Sequence, residues 1–171
     1  SWTLEAGYEA TWSASKGYPR TTTFHEGRLY FGGAKSRPNT IFASRVSRYF
    51  DFNPGEGLDD DSIEATIDSD SANAITGLFS GRDLQIFTKG AEFFVPQSSL
   101  DPITPSNIVI NTATRRGSKE GIKPVGAESG TLFVQRSGKA LREFLFSDVE
   151  LSYISNNISL LSSHLLNVPL D

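Results

Sequence analysis

The sequence predicts a mainly β fold in which antiparallel hairpins recur as propeller-like units. Three observations support this prediction: short strand-forming runs dominate, turn residues bound them, and one strand-turn-strand pattern returns along the chain. Three units do not close a propeller, which needs about four to eight blades of four strands. An antiparallel β-sandwich with similar hairpins is the alternative fold.

The first unit lies near residues 20–52. Its apolar runs at residues 29–31 and 40–43 are rich in aromatic and β-branched residues, which favour strands. The intervening residues 32–39 contain Gly-Gly and Arg-Pro-Asn, a composition typical of a loop. This unit is therefore predicted to be a hairpin with a long connection.

Two later units repeat the pattern near residues 75–96 and 125–147. Lys89-Gly90 forms the predicted turn of the second unit, and Ser137-Gly138 forms that of the third. Leu29 and Leu84 are 55 residues apart, and Leu84 and Leu132 are 48 apart. Such periods approach the size of one propeller blade, about 40–50 residues.

A short C-terminal helix is predicted near residues 157–166. Apolar residues recur there at helical spacing, Asn156 or Asn157 provides a helix cap, and Pro169 would end the helix. The preceding β body and this helix together give the predicted architecture.

The bulk composition indicates one all-β domain over residues 1–171, or a fragment of a larger propeller-like protein. The chain lacks Cys, so cysteine chemistry is excluded, and Met is absent even at position 1, which favours a processed product or a fragment. No apolar run reaches the roughly 20 residues of a membrane-spanning helix. The net charge of −4 argues against a surface that coats nucleic acid.

An acidic segment spans residues 51–70 and contains eight Asp or Glu residues without Lys or Arg. Asp59 and Asp61 are weak candidate ligands for a divalent cation, because Ca²⁺ binds clustered carboxylate and carbonyl oxygens. The spacing does not match an EF-hand loop. The favoured interpretation is a solvated loop in which Asp61 or Ser62 caps a short turn and Ile63 and Ile67 pack inward, with no resident metal and no cofactor.

Basic residues collect in two stretches, and their arginines are candidate interface or DNA-channel residues. Their guanidinium groups could contact phosphates without reading a sequence. Salt bridges to the acidic residues of the chain are the alternative, and for any single residue the favoured one. The candidates are Arg37, Arg45, Arg48, Arg115 and Arg116.

No pattern in the sequence favours catalysis. The two histidines, His25 and His164, lie in apolar surroundings that are typical of packed or surface histidines. The chain contains no Gly-x-Ser-x-Gly elbow, which would mark a hydrolase nucleophile. We therefore predict that the protein is not an enzyme, with a hydrolase built on the acidic segment as a disfavoured alternative.

Several motifs follow one another in order along the chain. The opening motifs are Gly17-Tyr18-Pro19-Arg20, Phe24-His25-Glu26-Gly27-Arg28-Leu29, Gly32-Gly33, Ser36-Arg37-Pro38, Ala43-Ser44-Arg45 and Tyr49-Phe50-Asp51-Phe52, and the later ones are residues 59–75, 81–95 and 130–146. Together they resemble segments of the tail tubular or nozzle-type proteins of short-tailed bacteriophages and related prophages. The similarity runs from about residue 17 to residue 166, although such proteins are far longer than this chain.

The resemblance implies a non-enzymatic structural component of a phage tail, made in the bacterial cytoplasm and located in the virion. Its expected partners are other copies of itself and neighbouring tail or portal subunits, with DNA passing nearby. Its Phe and Tyr side chains are expected to fill blade cores. The alternative is a tail-associated module that binds a carbohydrate or receptor, for which Trp2 and Trp12 would supply exposed aromatic rings.

Overall fold

The structure is a computed structural model that describes residues 11–68, 73–96, 102–128 and 130–161. Short strands separated by turns and loops make up most of the described chain. Their bounds are β1 Thr21–His25, β2 Arg28–Gly32, β3 Thr40–Ala43, β4 Ile63–Thr66, β5 Ile75–Ser80, β6 Leu84–Thr88, β7 Glu92–Val95, β8 Asn111–Thr114, β9 Val125–Gly126, β10 Thr131–Val134, β11 Leu141–Ser147 and β12 Ser152–Asn157.

These strands form three consecutive antiparallel sheets of four strands each. In every sheet the strands pair in chain order: β1 to β4 in the first sheet, β5 to β8 in the second, and β9 to β12 in the third. The mainly β prediction with antiparallel hairpins is therefore confirmed. The fourth strand of each sheet lies downstream of the hairpins from which the units were defined.

The first and second sheets pack through an aliphatic core. Alternation along β2 and β3 turns Tyr30, Ile41 and Ala43 toward this core, where they meet side chains of β5, β6 and β7. Two polar contacts join the innermost strands: the Leu78 N–H donates to Thr21 Oγ1 at 3.0 Å, and Ser80 Oγ lies 2.8 Å from His25 Nδ1. His25 is thus a packed histidine, as its sequence context indicated.

The second and third sheets pack through an aromatic core instead. Its fully buried members include Phe87 and Phe144, and Phe144 stacks on Tyr153 with ring centroids 4.7 Å apart. Aromatic side chains bury large areas in favourable edge and stacked geometries, so few residues suffice to join the sheets. The cluster comprises Phe87, Phe94, Phe133, Phe144 and Tyr153, with Phe79 and Phe146 partly buried beside it.

A third cluster covers the outer face of the first sheet. Trp12 packs edge-on against Phe31, Phe42 and Phe52, with ring centroids 5.2 to 5.9 Å apart. Trp12 is therefore a packing residue rather than an exposed aromatic binding residue, and that expectation is wrong. Trp2, the other candidate, lies outside the described residues.

The start of the predicted C-terminal helix is wrong. Asn157 is the last residue of β12, and residues 158–161 form a turn followed by a short 3₁₀ segment. Asn157 pairs with Arg142 of β11, so its backbone is extended by the sheet rather than free to begin a helix. The remainder of the predicted helix, including His164, lies outside the described residues.

Within the described part of the chain, the search for a helix of sufficient length and hydrophobicity to cross a membrane finds none.

Candidate functional site

The connection from β3 to β4 contains four of the residues that the sequence singled out: Arg45, Arg48, Asp59 and Asp61. It begins with residues 45–52, here called the aromatic loop, which returns on itself through a bond from Arg45 N–H to the Asp51 carbonyl at 2.8 Å. The Ser47 N–H donates to the Gly27 carbonyl at 2.8 Å, which fixes the loop against the β1–β2 turn. Both segments therefore belong to one local structure.

Asp61 organises the second half of this connection. Its side chain is fully buried, and its Oδ2 accepts N–H groups from Glu56, Gly57 and Leu58 at 2.9 to 3.0 Å. Its Oδ1 forms an ion pair with the Arg45 guanidinium. The Leu58 N–H, with help from Arg45, holds the pKa of Asp61 below its ordinary value in spite of burial.

Arg28 fixes the same connection from the side of β2. Its buried guanidinium donates to the carbonyl oxygens of Ser44 at 2.8 Å, Asp61 at 2.5 Å and Asp59 at 2.6 Å. Burial lowers the pKa of Arg28 from its ordinary value. Because three carbonyls converge on one cation, the loop end is tied to the first sheet.

The acidic segment is only partly the solvated loop that was expected: Asp61 accepts hydrogen bonds from the turn at residues 56–58, as a capping residue does. Ile63 and Ile67 are buried, as predicted, but Asp61 is buried with them. Asp59 is exposed and contributes its carbonyl to Arg28. N–H groups and a guanidinium already surround the Asp61 carboxylate, and the described residues contain no cluster of three metal-ligating side chains.

The five candidate arginines lie on three separate segments. Arg37 pairs with Glu64 of β4, Arg45 pairs with Asp61, and Arg48 lies 3.8 Å from Asp51. Arg115 and Arg116 follow β8 and have exposed side chains. Arg37, Arg45 and Arg48 thus form ion pairs within the chain. The guanidinium groups of Arg115 and Arg116 face solvent.

Sequence reasoning missed the aromatic side chains that this local structure exposes. Phe50 is 92% exposed, Phe24 is 61% exposed and Tyr49 is 38% exposed, although aromatic residues were expected to fill cores. Phe24 and Tyr49 meet edge to face with centroids 5.1 Å apart. The sequence contains no signal for this difference, because Tyr49, Phe50 and Phe52 fit one aromatic pattern in which only Phe52 is buried.

The site therefore combines a rigid base with an apolar tip. Ion pairs and backbone hydrogen bonds hold the loop, and Phe24, Val46, Tyr49 and Phe50 form its exposed aromatic tip. Such a tip suits contact with another surface, because the backbone that carries its rings is already held in place and has little conformational freedom to lose.

No family model matches this chain, and a comparison with curated proteins also finds no match.

Proposed function

We propose that this protein is a non-enzymatic structural component of a phage tail, of the tubular or nozzle type. The order of sequence motifs from about residue 17 to residue 166 supports this proposal, and three consecutive four-stranded meanders are compatible with it. Its place would be the virion, after synthesis in the bacterial cytoplasm. Its partners would be further copies of the chain and neighbouring tail or portal subunits.

The exposed aromatic tip is the observation that carries the proposal. Phe50 leaves 92% of its surface in solvent, at a loop that the ion pair between Arg45 and the buried Asp61 holds in place. Exposed apolar clusters mark protein interaction sites, and aromatic residues are enriched among those that dominate binding energy. The buried polar groups at this loop fix its conformation, which is the expected arrangement for a contact surface.

The net charge of the chain is also compatible with the wall of a DNA conduit. A conduit wall should not retain DNA, and the net charge of −4 disfavours tight binding to phosphates. Arg115 and Arg116 remain candidates for transient phosphate contact, whereas Arg37, Arg45 and Arg48 are engaged by carboxylates of the chain.

The first experiment measures self-association of the full chain by size-exclusion chromatography with light scattering. We expect the wild-type protein to form oligomers as its concentration rises, and Phe50→Ser to remain a monomer. Val149→Ser is the matched control, because Val149 is 95% exposed but lies on the β11–β12 turn. If the two variants self-associate equally, the aromatic tip is not part of the interface between copies of the chain.

The second experiment tests location. Antibodies raised against the chain should label the tail vertex of purified particles produced by the phage or lysogen that encodes it. Particles that contain none of the protein, from a lysate in which the protein is abundant, would overturn the proposal.

A further inference from the structure

The third sheet has an apolar face that points away from the second sheet. Phe133, Phe144 and Tyr153 point toward the second sheet, where they join the aromatic core. Because side chains alternate along a strand, the residues next to these in sequence lie on the opposite side, here called the outer face of the third sheet. The pairing of the strands places six apolar side chains on this face: Val125, Leu132, Leu141, Leu145, Ile154 and Ile158.

Solvent reaches the outer face of the third sheet. Val125 is 61% exposed and Ile158 is 47% exposed, and the other four apolar side chains are partly exposed. None of the six belongs to a buried cluster of the described residues, whereas Trp12 and Phe52 cover the outer face of the first sheet. An exposed apolar patch of this kind marks an interaction site.

A carboxylate lies in the middle of this face. Glu143 stands between Leu141 and Leu145 along β11, and it pairs with Leu132 of β10 and Asn156 of β12. Glu143 is partly exposed, and it is the only charged residue among the strand positions of the face. A partner that fits the face must therefore bring apolar side chains with a positive charge close beside them.

The aromatic tip carries both features. Phe24 pairs with Leu29, and Leu29 belongs to the cluster on the outer face of the first sheet, so Phe24 projects on that side. Arg48 lies in the same loop, 3.8 Å from Asp51, with 70% of its side chain exposed. The first sheet packs on the second, and the second packs on the third, so the tip and the outer face of the third sheet lie at opposite ends of the stack.

We propose that the outer face of the third sheet binds the aromatic tip of a second copy of the chain, with Arg48 of that copy beside Glu143. This inference rests on the self-association proposed above and names the surface that the tip meets. Because the two halves of the contact are different surfaces, every bound copy still has a tip or an outer face open. The association therefore continues head to tail, unlike a dimer in which two tips meet.

Mixing two variants of the full chain tests the proposal. Phe50→Ser loses the tip but keeps the outer face, and Glu143→Arg keeps the tip but opposes Arg48 with a like charge. Each variant alone should self-associate at least about tenfold more weakly than the wild type. Their equimolar mixture should form a heterodimer with one copy of each variant that does not grow further, because it contains a single intact contact. Native mass spectrometry measures the stoichiometry.

A charge exchange within one chain provides a second measurement. Arg48→Glu should weaken self-association about tenfold, and Arg48→Glu with Glu143→Arg should restore it to within about threefold of the wild type. If Glu143→Arg fails to fold, the double variant Val125→Ser with Ile158→Ser, at two exposed positions, takes its place in the mixture. Val109→Ser is the control and should associate as the wild type does, because Val109 is exposed but precedes β8 of the second sheet.

The possible failures separate this inference from the role of the tip. If the wild type associates and Phe50→Ser does not, but the mixture stays monomeric, the tip meets another surface and self-association through the tip still stands. A charge exchange that restores nothing would show that Arg48 and Glu143 do not meet. A clear fall in the melting temperature of monomeric Val125→Ser with Ile158→Ser would mean that another part of the same chain covers the face. A wild-type chain that is monomeric at every concentration would overturn both proposals.

Discussion

Asp61, beside the first sheet, and Glu92, on β7 of the second, both lose all contact with solvent, but their oxygens meet different surroundings. Three N–H groups and a guanidinium satisfy both oxygens of Asp61. Oε2 of Glu92 accepts from the Thr114 hydroxyl at 2.5 Å and the Arg116 N–H at 3.2 Å, and the Gly117 N–H also reaches this carboxylate, whereas Oε1 has no hydrogen bond of good geometry to a described residue.

The two pKa values consequently move in opposite directions. The Leu58 N–H and the other donors lower the pKa of Asp61, whereas burial raises the pKa of Glu92. Burial by itself therefore does not decide whether a carboxylate supports the fold. The balance between burial and hydrogen bonding decides: for Glu92 the cost of desolvation exceeds what its hydrogen bonds offset, whereas for Asp61 the donors outweigh that cost.

The largest effect should come from Asp61→Ala. The change leaves Arg45 and three N–H groups of residues 56–58 without their acceptor, so we expect the melting temperature to fall by about 10 °C. Differential scanning calorimetry measures this. Asp59→Ala is the control, since Asp59 is exposed and supplies its backbone carbonyl. Similar losses in the two variants would contradict the role given to the Asp61 carboxylate.

The second largest fall in melting temperature should come from filling the space beside the Asp61 carboxylate. Gly55 and Gly57 both have positive φ, 55° and 82°, but only at Gly55 would a Cβ collide with the Asp61 carboxylate. Gly55→Ala should lower the melting temperature by about 6 °C, and Gly57→Ala by about 2 °C from backbone strain alone. If the two variants have the same melting temperature, the Asp61 carboxylate can move aside, and its hydrogen-bond donors do not hold it tightly.

Glu92→Gln should raise the melting temperature, whereas the changes at Asp61 and Gly55 lower it. The amide removes a buried charge and keeps an acceptor for Thr114 and Arg116, so the melting temperature at pH 7 should rise by about 2–4 °C. The matched control is Glu150→Gln, an exposed position on the β11–β12 turn, which should change nothing measurable. A clear destabilisation by Glu92→Gln would mean that the charge itself is needed there.

The smallest effect should be a change in how steeply the melting temperature depends on pH. The pKa of Glu92 is raised on folding, so its stabilising contribution is complete below the ordinary value of about 4.3 and is lost as pH rises through the folded value. The pKa of Asp61 is lowered, so its contribution is complete above about 3.9 and is lost as pH falls through the folded value.

Melting temperatures from pH 3 to pH 9 test both signs. The wild type should lose stability toward acid through Asp61 and toward neutral pH through Glu92. Glu92→Gln should remove the second loss and leave the first. A wild-type curve that rises steadily from pH 4 to pH 7, unchanged by Glu92→Gln, would refute the raised pKa.

The sequence predicted the strands with the most apolar residues. β2, β3, β6, β7, β10 and β11 carry aromatic and β-branched runs. The pairing of β6 with β7 and of β10 with β11 follows from short turns, whereas β2 and β3 pair across a longer loop. The missed strands, among them β4, β8 and β9, are short or polar, and these three each lie at the edge of a sheet. Their extended backbone depends on a neighbouring strand, which local composition does not reveal.

The site was harder to predict than the fold, since its contacts join residues distant in sequence. Asp61 pairs with Arg45, 16 residues earlier, and Arg28 donates to the carbonyl of Asp61, 33 residues later. Composition therefore indicated a solvated acidic loop where the fold buries an ion pair. The exposure of Phe50 was equally hidden, because its neighbour Phe52 is buried and both fit the same aromatic pattern.

The segment between β8 and β9 links the second and third sheets through backbone hydrogen bonds. The Ser118 N–H donates to the Thr88 carbonyl at 2.8 Å, the Lys119 N–H donates to that of Val134 at 2.9 Å, and the Arg136 N–H donates to that of Gly117 at 2.9 Å. Amide protons of this connection should therefore exchange with solvent as slowly as those of the strands that it touches. The two sheets would then open as one cooperative unit.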